Sequence, residues 1–256
     1  MIHPTAIIDP KAELADDVSV GAYCVIGPKV QIDSGTTIGP HVVIDGPTRI
    51  GKRNRIYPHC ALGADPQDKK FAGEDAWLEI GDHNMIREFC SFNRGTEDGG
   101  GVTKIGNHNW LMAYVHIAHD CIVGNDNIFA NAASLAGHVL IEDQIILGGF
   151  TLIHQFCRVG KHAFTSMGSI INRDVPPYVT VAGKMAVPRG INSEGLRRRG
   201  FSSERIAHVR KAYKVLYMSG LKLSEAMDEL VKMADSDTDI TPLVEFIRES
   251  QRSIVR

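Results

Sequence analysis

Nowhere in the 256 residues is there an apolar run long enough to cross a bilayer. The opening stretch, MIHPTAIIDPKAEL, also lacks the basic segment followed by an apolar one that marks a secretory leader. A cytoplasmic protein without stable membrane insertion is expected. A surplus of charge is missing too. Lys and Arg number 28 against 30 Asp and Glu, and the net charge of -2 excludes a surface built as a whole to attract nucleic acid or anionic lipid. Any anionic partner must meet a local basic patch. Cysteine is scarce: Cys24, Cys60, Cys90, Cys121 and Cys157 form an odd, scattered set without a CxxC pair. That excludes a disulfide framework and a zinc knuckle, and the expectation is buried free thiols.

What is present is a repeat. Aliphatic residues recur every six positions from Ile2 through Ile8, Leu14, Val20, Ile26 and on to Leu62, and again from Ile105 through Leu111, Ile117 and on to Val159, with Ile171 back in phase after a polar Thr165. A period of six is not helical, and it lacks the strict alternation of an ordinary strand. One short strand and one turn per hexad fit it, three hexads making a triangular coil whose guide residues stack inside a prism. Gly27, Gly39, Gly51, Gly63, Gly106 and Gly124, each one residue past a guide, suit corners needing tight or left-handed backbone.

Two segments, 65–79 and 93–103, break the repeat while Ile80, Ile86 and Phe92 keep its phase, so they read as loops inserted into a continuous prism. Insertions of this kind gather on one face and often build binding sites. The hexads end near residue 189, and 190–256 is charged with helical periodicity. Ile206, Val209, Ala212, Tyr213, Leu216 and Tyr217 make one stripe after candidate caps Ser202 and Ser203. Leu223, Ala226, Met227, Leu230 and Met233 make a second, with Ser224 near its start, and Leu243 to Ile247 a third. The expected architecture is a parallel β-helix over 1–189 and a small α-helical domain over 190–256.

The hexads resemble the left-handed parallel β-helix acyltransferases. The ordered set PQDKKFAGE (66–74), NRGT (93–96), HIAHDCIVG (116–124), LAGH (135–138), IHQFCRVG (153–160), DVPPY (174–178) and NSEGLRRRGFS (192–202) is similar, over essentially the whole chain, to the UDP-N-acetylglucosamine O-acyltransferases that begin lipid A synthesis. The resemblance implies transfer of a 3-hydroxyacyl group from the phosphopantetheine of acyl carrier protein to the 3-hydroxyl of a UDP-sugar. It further implies a homotrimer with sites between subunits, and no cofactor or metal.

Ile117, Leu135 and Ile153 fall at one corner of successive coils, so His119, His138 and His154 are expected along one edge, with coils roughly 4.8 Å apart. His119 matches the family's general base, and Asp120 beside it is an acceptor able to fix the tautomer. Gly137 matches the family's backbone oxyanion donor, where the absence of a side chain lets substrate approach. His116, His138, His154 and Gln155 are expected to line the substrate site. Gln67 and Asp68 match sugar-contacting residues, with Lys70 near a phosphate or the carrier. Asn192, Glu194, Arg198 and Arg199 match nucleotide-contacting positions, and the run RRR is the one patch suited to drawing an acidic carrier. Met167 stands where long-chain members have glycine. At ~0.8 kcal/mol per buried methylene, its bulk predicts a donor shorter by three or four methylenes, with ~10 carbons.

Asn93, where the family commonly has histidine, and Lys69, replacing an apolar residue, leave an amino-sugar acceptor open. Two other classes share the architecture. A γ-class carbonic anhydrase would hold zinc between histidines of adjacent subunits, and a non-enzymatic solenoid would tolerate loss of His119.

Overall fold

The computed structural model describes residues 1–256 as a left-handed parallel β-helix closed at one end by four helices. Its sides are three sheets of nine, eight and ten strands, most strands being two residues long. The first face runs from Ile7–Ile8 to Ile170–Ile171, the second from Glu13–Leu14 to Arg158–Val159, and the third from Ser19–Val20 to Val187–Ile191. Register follows the hexads: Ile117 lies opposite Leu135, and Leu135 opposite Ile153. In each such strand the second residue is the guide. Ile26, Ile44, Leu62, Phe92, Ile117 and Leu135 are all buried on the first face. A fully buried side chain of this size contributes ~1.5–3 kcal/mol relative to an exposed one, which is why a strand of two residues persists inside a stack but not alone.

The corners correct the expectation for glycine. The left-handed residue stands three past the guide and is seldom glycine: Tyr23, His41, His59, Phe89, Tyr114, Asp120, His138 and Phe156 all have φ between 57° and 66°. Of the six glycines singled out, only Gly63 has positive φ. The others answer to space. A Cβ on Gly51 would stand 2.2 Å from Asp82 Oδ1, and one on Gly124 2.4 Å from Asp143 Oδ1, because the side chain of the next coil folds over the turn.

An internal ladder, not foreseen from the sequence, binds coils behind the third face. Buried Asn54, Asn84, Asn109 and Asn127 each present Oδ1 to a backbone N–H of the next coil, at 2.7–2.9 Å. The five cysteines are free and buried, as expected, and burial pushes the Cys121 thiol up to about 12.

Both insertions are shorter than the sequence suggested, since strands Trp77–Ile80 and Val102–Ile105 reclaim their last residues and Ser91–Asn93 the first of the second. After the prism come α1 (Ser193–Arg198), α2 (Ser203–Met218), α3 (Leu223–Ala234) and α4 (Thr241–Glu249). Ser202 caps α2 as expected, its hydroxyl accepting from Arg205 N–H. Ser224 does not cap α3; Glu225 reaches back to the Lys222 N–H instead, at 2.8 Å. The helices share a core of Leu196, Ile206, Val209, Leu216, Leu230 and Leu243. Beyond α4 the chain returns to the prism, where Asp174 accepts from Ser250 Oγ and Val255 enters the prism core. The open end of the solenoid is thereby covered.

Candidate functional site

The edge after the first face gathers most of the chemistry. His119 stands two residues past its guide and Asp120 three, in the left-handed corner, so both side chains project from one turn. Asp120 Oδ2 lies 2.6 Å from His119 Nδ1, and its side chain has no exposed surface. That carboxylate is held from the second insertion. Thr96 N–H donates to Oδ1 and the Thr96 hydroxyl to Oδ2, both at 2.7 Å, while Asp120 N–H donates to Thr103 Oγ1. The carboxylate at Nδ1 favours the neutral tautomer with its proton on that nitrogen, in which Nε2 is the acceptor.

Nε2 faces Gly137 on the next coil, where a Cβ would stand 2.7 Å from His119 Cε1 and 2.8 Å from Nε2. The Gly137 carbonyl accepts from Phe156 N–H, while its own N–H donates to no backbone acceptor. His138 crosses the His119 ring edge-on at 5.1 Å, with Nε2 3.7 Å from Asp120 Oδ2, and Phe156 stacks on its other side at 4.5 Å. A base, a fixed tautomer and a free backbone donor thus occupy a few ångströms on two successive coils.

The other expected residues divide. His116 is on the same edge, its Nδ1 2.8 Å from Ser91 Oγ, and burial holds its pKa below the usual histidine range. His154 and Gln155 are exposed two coils on, and His154 Nδ1 meets only the Gln155 carbonyl, at 3.2 Å; the expected cluster of three imidazoles is therefore a pair. The reason is offset, since His154 follows its guide by one residue and His138 by three. Gln67, Asp68 and Lys70 lie on the loop leaving strand Ala61–Ala64 at this edge, with Asp68 Oδ1 accepting from Lys70 N–H. An Asp65–Arg94 ion pair and Asn93 Nδ2, donating to the Asp65 carbonyl, tie that loop to the second insertion. Asn93 is buried with Oδ1 unpartnered, and Lys69 is exposed.

Asn192, Glu194, Arg198 and Arg199 are not on this edge. They lie at the one between the second and third faces, where Arg199 Nη2 donates to the Asp126 carbonyl. The Asn192 amide is committed twice, capping α1 at Gly195 N–H and donating to the His162 carbonyl, both at 3.0 Å. Carboxylates flank the RRR run without balancing it: Arg197 and Arg198 share Glu194, and Arg199 reaches Asp126, which sets three guanidinium groups against two carboxylates. Met167 is at the remaining edge, 78% exposed.

A metal is the other chemistry this set admits, since the ligand atoms of His119, Asp120 and His138 lie within 4.8 Å of one another. The carboxylate already accepts from Thr96 twice and from His119, which fills three of about four acceptor positions. A zinc ion would compete with these hydrogen bonds for the carboxylate oxygens.

A family model described as UDP N-acetylglucosamine O-acyltransferase, domain 2, matches residues 174–255, and one for the bacterial transferase hexapeptide matches 103–137. The acyl-(acyl-carrier-protein)–UDP-N-acetylglucosamine O-acyltransferase of Thiobacillus denitrificans is 57% identical over 255 residues, covering 100% of this chain and 99% of its own. The chain belongs to this O-acyltransferase family. Another member, from Stenotrophomonas maltophilia strain R551-3, is 57% identical over 256 residues, covering 100% of this chain and 97% of its own. Among solved O-acyltransferases, that of Francisella novicida superposes with a TM-score of 0.98 at 43% identity, covering 100% and 94% of the two chains. That of Acinetobacter baumannii does so with 0.97 at 48%, covering 100% and 99%. Sequence reasoning within the O-acyltransferase motifs missed Thr96, Thr103 and Phe156. NRGT and IHQFC contain the first and last of these, but what Thr96 touches depends on how the insertion folds back, and what Phe156 touches on how the coils stack.

Proposed function

We propose that this acyltransferase moves a 3-hydroxyacyl group from acyl carrier protein to the 3-hydroxyl of UDP-N-acetylglucosamine, the first step of lipid A synthesis, in the cytoplasm. The observation that carries the reading is the His119–Asp120 dyad with Nε2 against Gly137. His119 Nε2 takes the proton of the sugar hydroxyl as its oxygen attacks the thioester carbon. The tetrahedral oxyanion rests on Gly137 N–H, and Asp120 stabilises the imidazolium. Collapse breaks the C–S bond, and the departing thiolate takes the proton back from His119. The ester forms without a covalent enzyme intermediate, metal or cofactor.

His116, His138, His154 and Gln155 line the acceptor and donor paths, while Gln67 and Asp68 hold the sugar from the first insertion and Lys70 meets a phosphate or the carrier. Asn192, Glu194, Arg198 and Arg199 contact the nucleotide, but from the second edge, which cannot reach His119 of its own chain. A homotrimer joins the two. Outward residues on the second face are polar over its first five strands, Glu13, Gln31, Arg49, Glu79 and Lys104. Most exposed apolar side chains of the prism instead follow the first face (Ile7, Val25, Val43, Leu152), the third (Trp110) and the edge between those two (Tyr23, Phe89, Tyr114, Phe150), with Ile122 on the second face and Phe156 on the His119 edge as exceptions. Three copies meeting along that edge bury this surface and set the first face of one against the third face of the next. The His119 edge then lies beside its neighbour's Asn192–Arg199 edge. Met167, uncovered in one chain, closes the acyl groove between them, which favours a chain of ~10 carbons. In this reading residues 1–189 hold the reacting groups and the sugar and acyl contacts, and 190–256 add the nucleotide contacts.

The test is transfer from 3-hydroxyacyl carrier proteins of several lengths to UDP-N-acetylglucosamine and to its 3-amino analogue. His119→Ala is expected to lower kcat by about 10²–10⁴ with the fold intact. Wild-type rates from that variant would remove the base.

A further inference from the structure

Four consecutive residues, Asn93, Arg94, Gly95 and Thr96, touch both the carboxylate behind the base and the loop that carries Gln67 and Asp68. On the His119 edge the turns after Ile44, Leu62, Phe92 and Ile117 stack as four successive coils, and this segment leaves the third of them. Toward the fourth coil, Thr96 holds both oxygens of Asp120. Toward the second, the entrance of the first insertion is held three times. Arg94 N–H donates to the Ala64 carbonyl at 3.1 Å, Asn93 Nδ2 to the Asp65 carbonyl at 2.8 Å, and the Arg94 guanidinium to the Asp65 carboxylate. The exit is held as well, since Gly95 N–H donates to the Trp77 carbonyl at 3.1 Å.

Arg94 makes the longest of these reaches. It is buried, its other Nη donates to the Gly46 carbonyl two coils below, and its guanidinium carbon lies 5.8 Å from the centre of the Phe71 ring, on the insertion itself. A planar fork serves a carbonyl and a carboxylate at once, which the point charge of a lysine does not. The insertion's other ion pair, Lys29 with Asp75 at 3.0 Å, joins two exposed side chains and contributes little through water. The loop is thus pinned at both ends by the segment that also aims the base. Resting on the UDP-sugar reading above, we propose that Arg94 is a positioning residue: through Asp65 it registers the Gln67–Asp68 loop against His119, so that the acceptor hydroxyl arrives at Nε2. Arg94 itself touches no reacting atom. Without it the bound sugar must order the loop at the expense of its own affinity, whereas loss of Thr96 loosens the base, so the two halves of one segment act on different kinetic constants.

The experiment compares wild type with Arg94→Lys, Asp65→Ala, Asp65→Asn and, as control, Lys29→Gln, which opens only the exposed pair on the same loop. Trypsin reports on the loop directly, because Lys69 and Lys70 lie on it and are exposed. Cleavage there, with and without UDP-N-acetylglucosamine, is followed beside steady-state kinetics and a thermal melt. Arg94→Lys and Asp65→Ala are expected to speed cleavage about tenfold and to raise KM for the UDP-sugar by a similar factor, with kcat and KM for the acyl donor within about twofold of wild type. Asp65→Asn, which keeps an acceptor oxygen for the guanidinium, should recover most of the loss, and Lys29→Gln should match wild type. The Asp65 side chain is 72% exposed, so its variants keep the fold and decide the matter even if Arg94→Lys melts early. Cleavage and acceptor KM unchanged in Asp65→Ala overturn the proposal, and so does a fall in kcat at unchanged KM, which would place the pair with the base. UDP-N-acetylglucosamine that fails to slow cleavage of wild type overturns the sugar assignment of the loop instead, and the hold of Arg94 on the loop is then judged by the cleavage rates alone.

Discussion

Asp120 contributes to the site through what surrounds it. Its carboxylate has no exposed surface and accepts two hydrogen bonds from Thr96, whose hydroxyl in turn accepts from Gly99 N–H at 3.1 Å. A hydrogen bond to a charged group contributes about 1.5–3 kcal/mol. Thr96→Val is therefore expected to lower kcat roughly 10–100-fold with KM for the UDP-sugar nearly unchanged, because the tautomer and aim of His119 loosen while the acceptor contacts remain. Steady-state kinetics beside a thermal melt checks this; equal loss in KM and kcat would assign Thr96 to binding. Gly137→Ala is expected to abolish turnover without unfolding the chain, since the added Cβ meets the His119 ring at 2.7 Å. At this scale the sequence discloses adjacency and conceals return contacts. His119 and Asp120 are neighbours, so their pairing is legible. Thr96 reaches Asp120 across 24 residues and a loop whose path no local pattern encodes. Asn192 shows the converse: its motif implies a ligand contact, and no local pattern discloses that the same amide also caps α1 and donates to the His162 carbonyl.

The elements are more legible than the contacts, because a hexad with a buried guide admits few other arrangements. The guides, the prism and three of the four helices follow from spacing alone. α1 does not, being six residues long, with glycine inside it and too short to show a stripe. The asparagine ladder was equally hidden, since Asn two residues before a guide looks like a turn residue until coils are stacked. It makes Asn109→Ala costly. Asn109 presents Oδ1 to Asn127 N–H and donates Nδ2 to the Gly124 carbonyl, so truncation leaves buried groups unpaired. A loss of about 2–4 kcal/mol is expected in urea unfolding, against little change for an exposed Asn or Ser on the same prism. An equal, small effect at both positions would show that the ladder adds nothing beyond the strands.

For the whole molecule, acid stability follows from a histidine kept neutral. His162 sits between Tyr178 and Phe201, and burial lowers its pKa to about 4, with Lys161, Arg199 and Arg205 adding to the effect. Between an ordinary value near 6.5 and about 4, the unfolded chain binds a proton that the folded one refuses. Stability is therefore level above that window and falls as pH drops through it, by roughly 2–4 kcal/mol in full. His162→Gln should flatten the decline in part, leaving the smaller contribution of His116, which shifts the same way. A melting temperature that falls identically in wild type and variant from pH 6.5 to 4 would contradict it.

In the proposed trimer the two edges meet between copies. Met167→Gly is expected to extend the preferred donor by several carbons, measured as the ratio of kcat/KM between donors, and an unchanged ratio would sever Met167 from chain length. The central claim, that the His119 edge of one copy works with the Asn192–Arg199 edge of the next, is tested most directly by mixing subunits. His119→Ala and Arg198→Glu chains, each nearly inactive alone, are unfolded together and refolded, and acyl transfer is measured. Mixed assemblies contain contacts at which both edges are intact, so activity well above the mean of the two parents is predicted. Activity no greater than that mean, in assemblies shown to contain both chains, would contradict a site shared between copies.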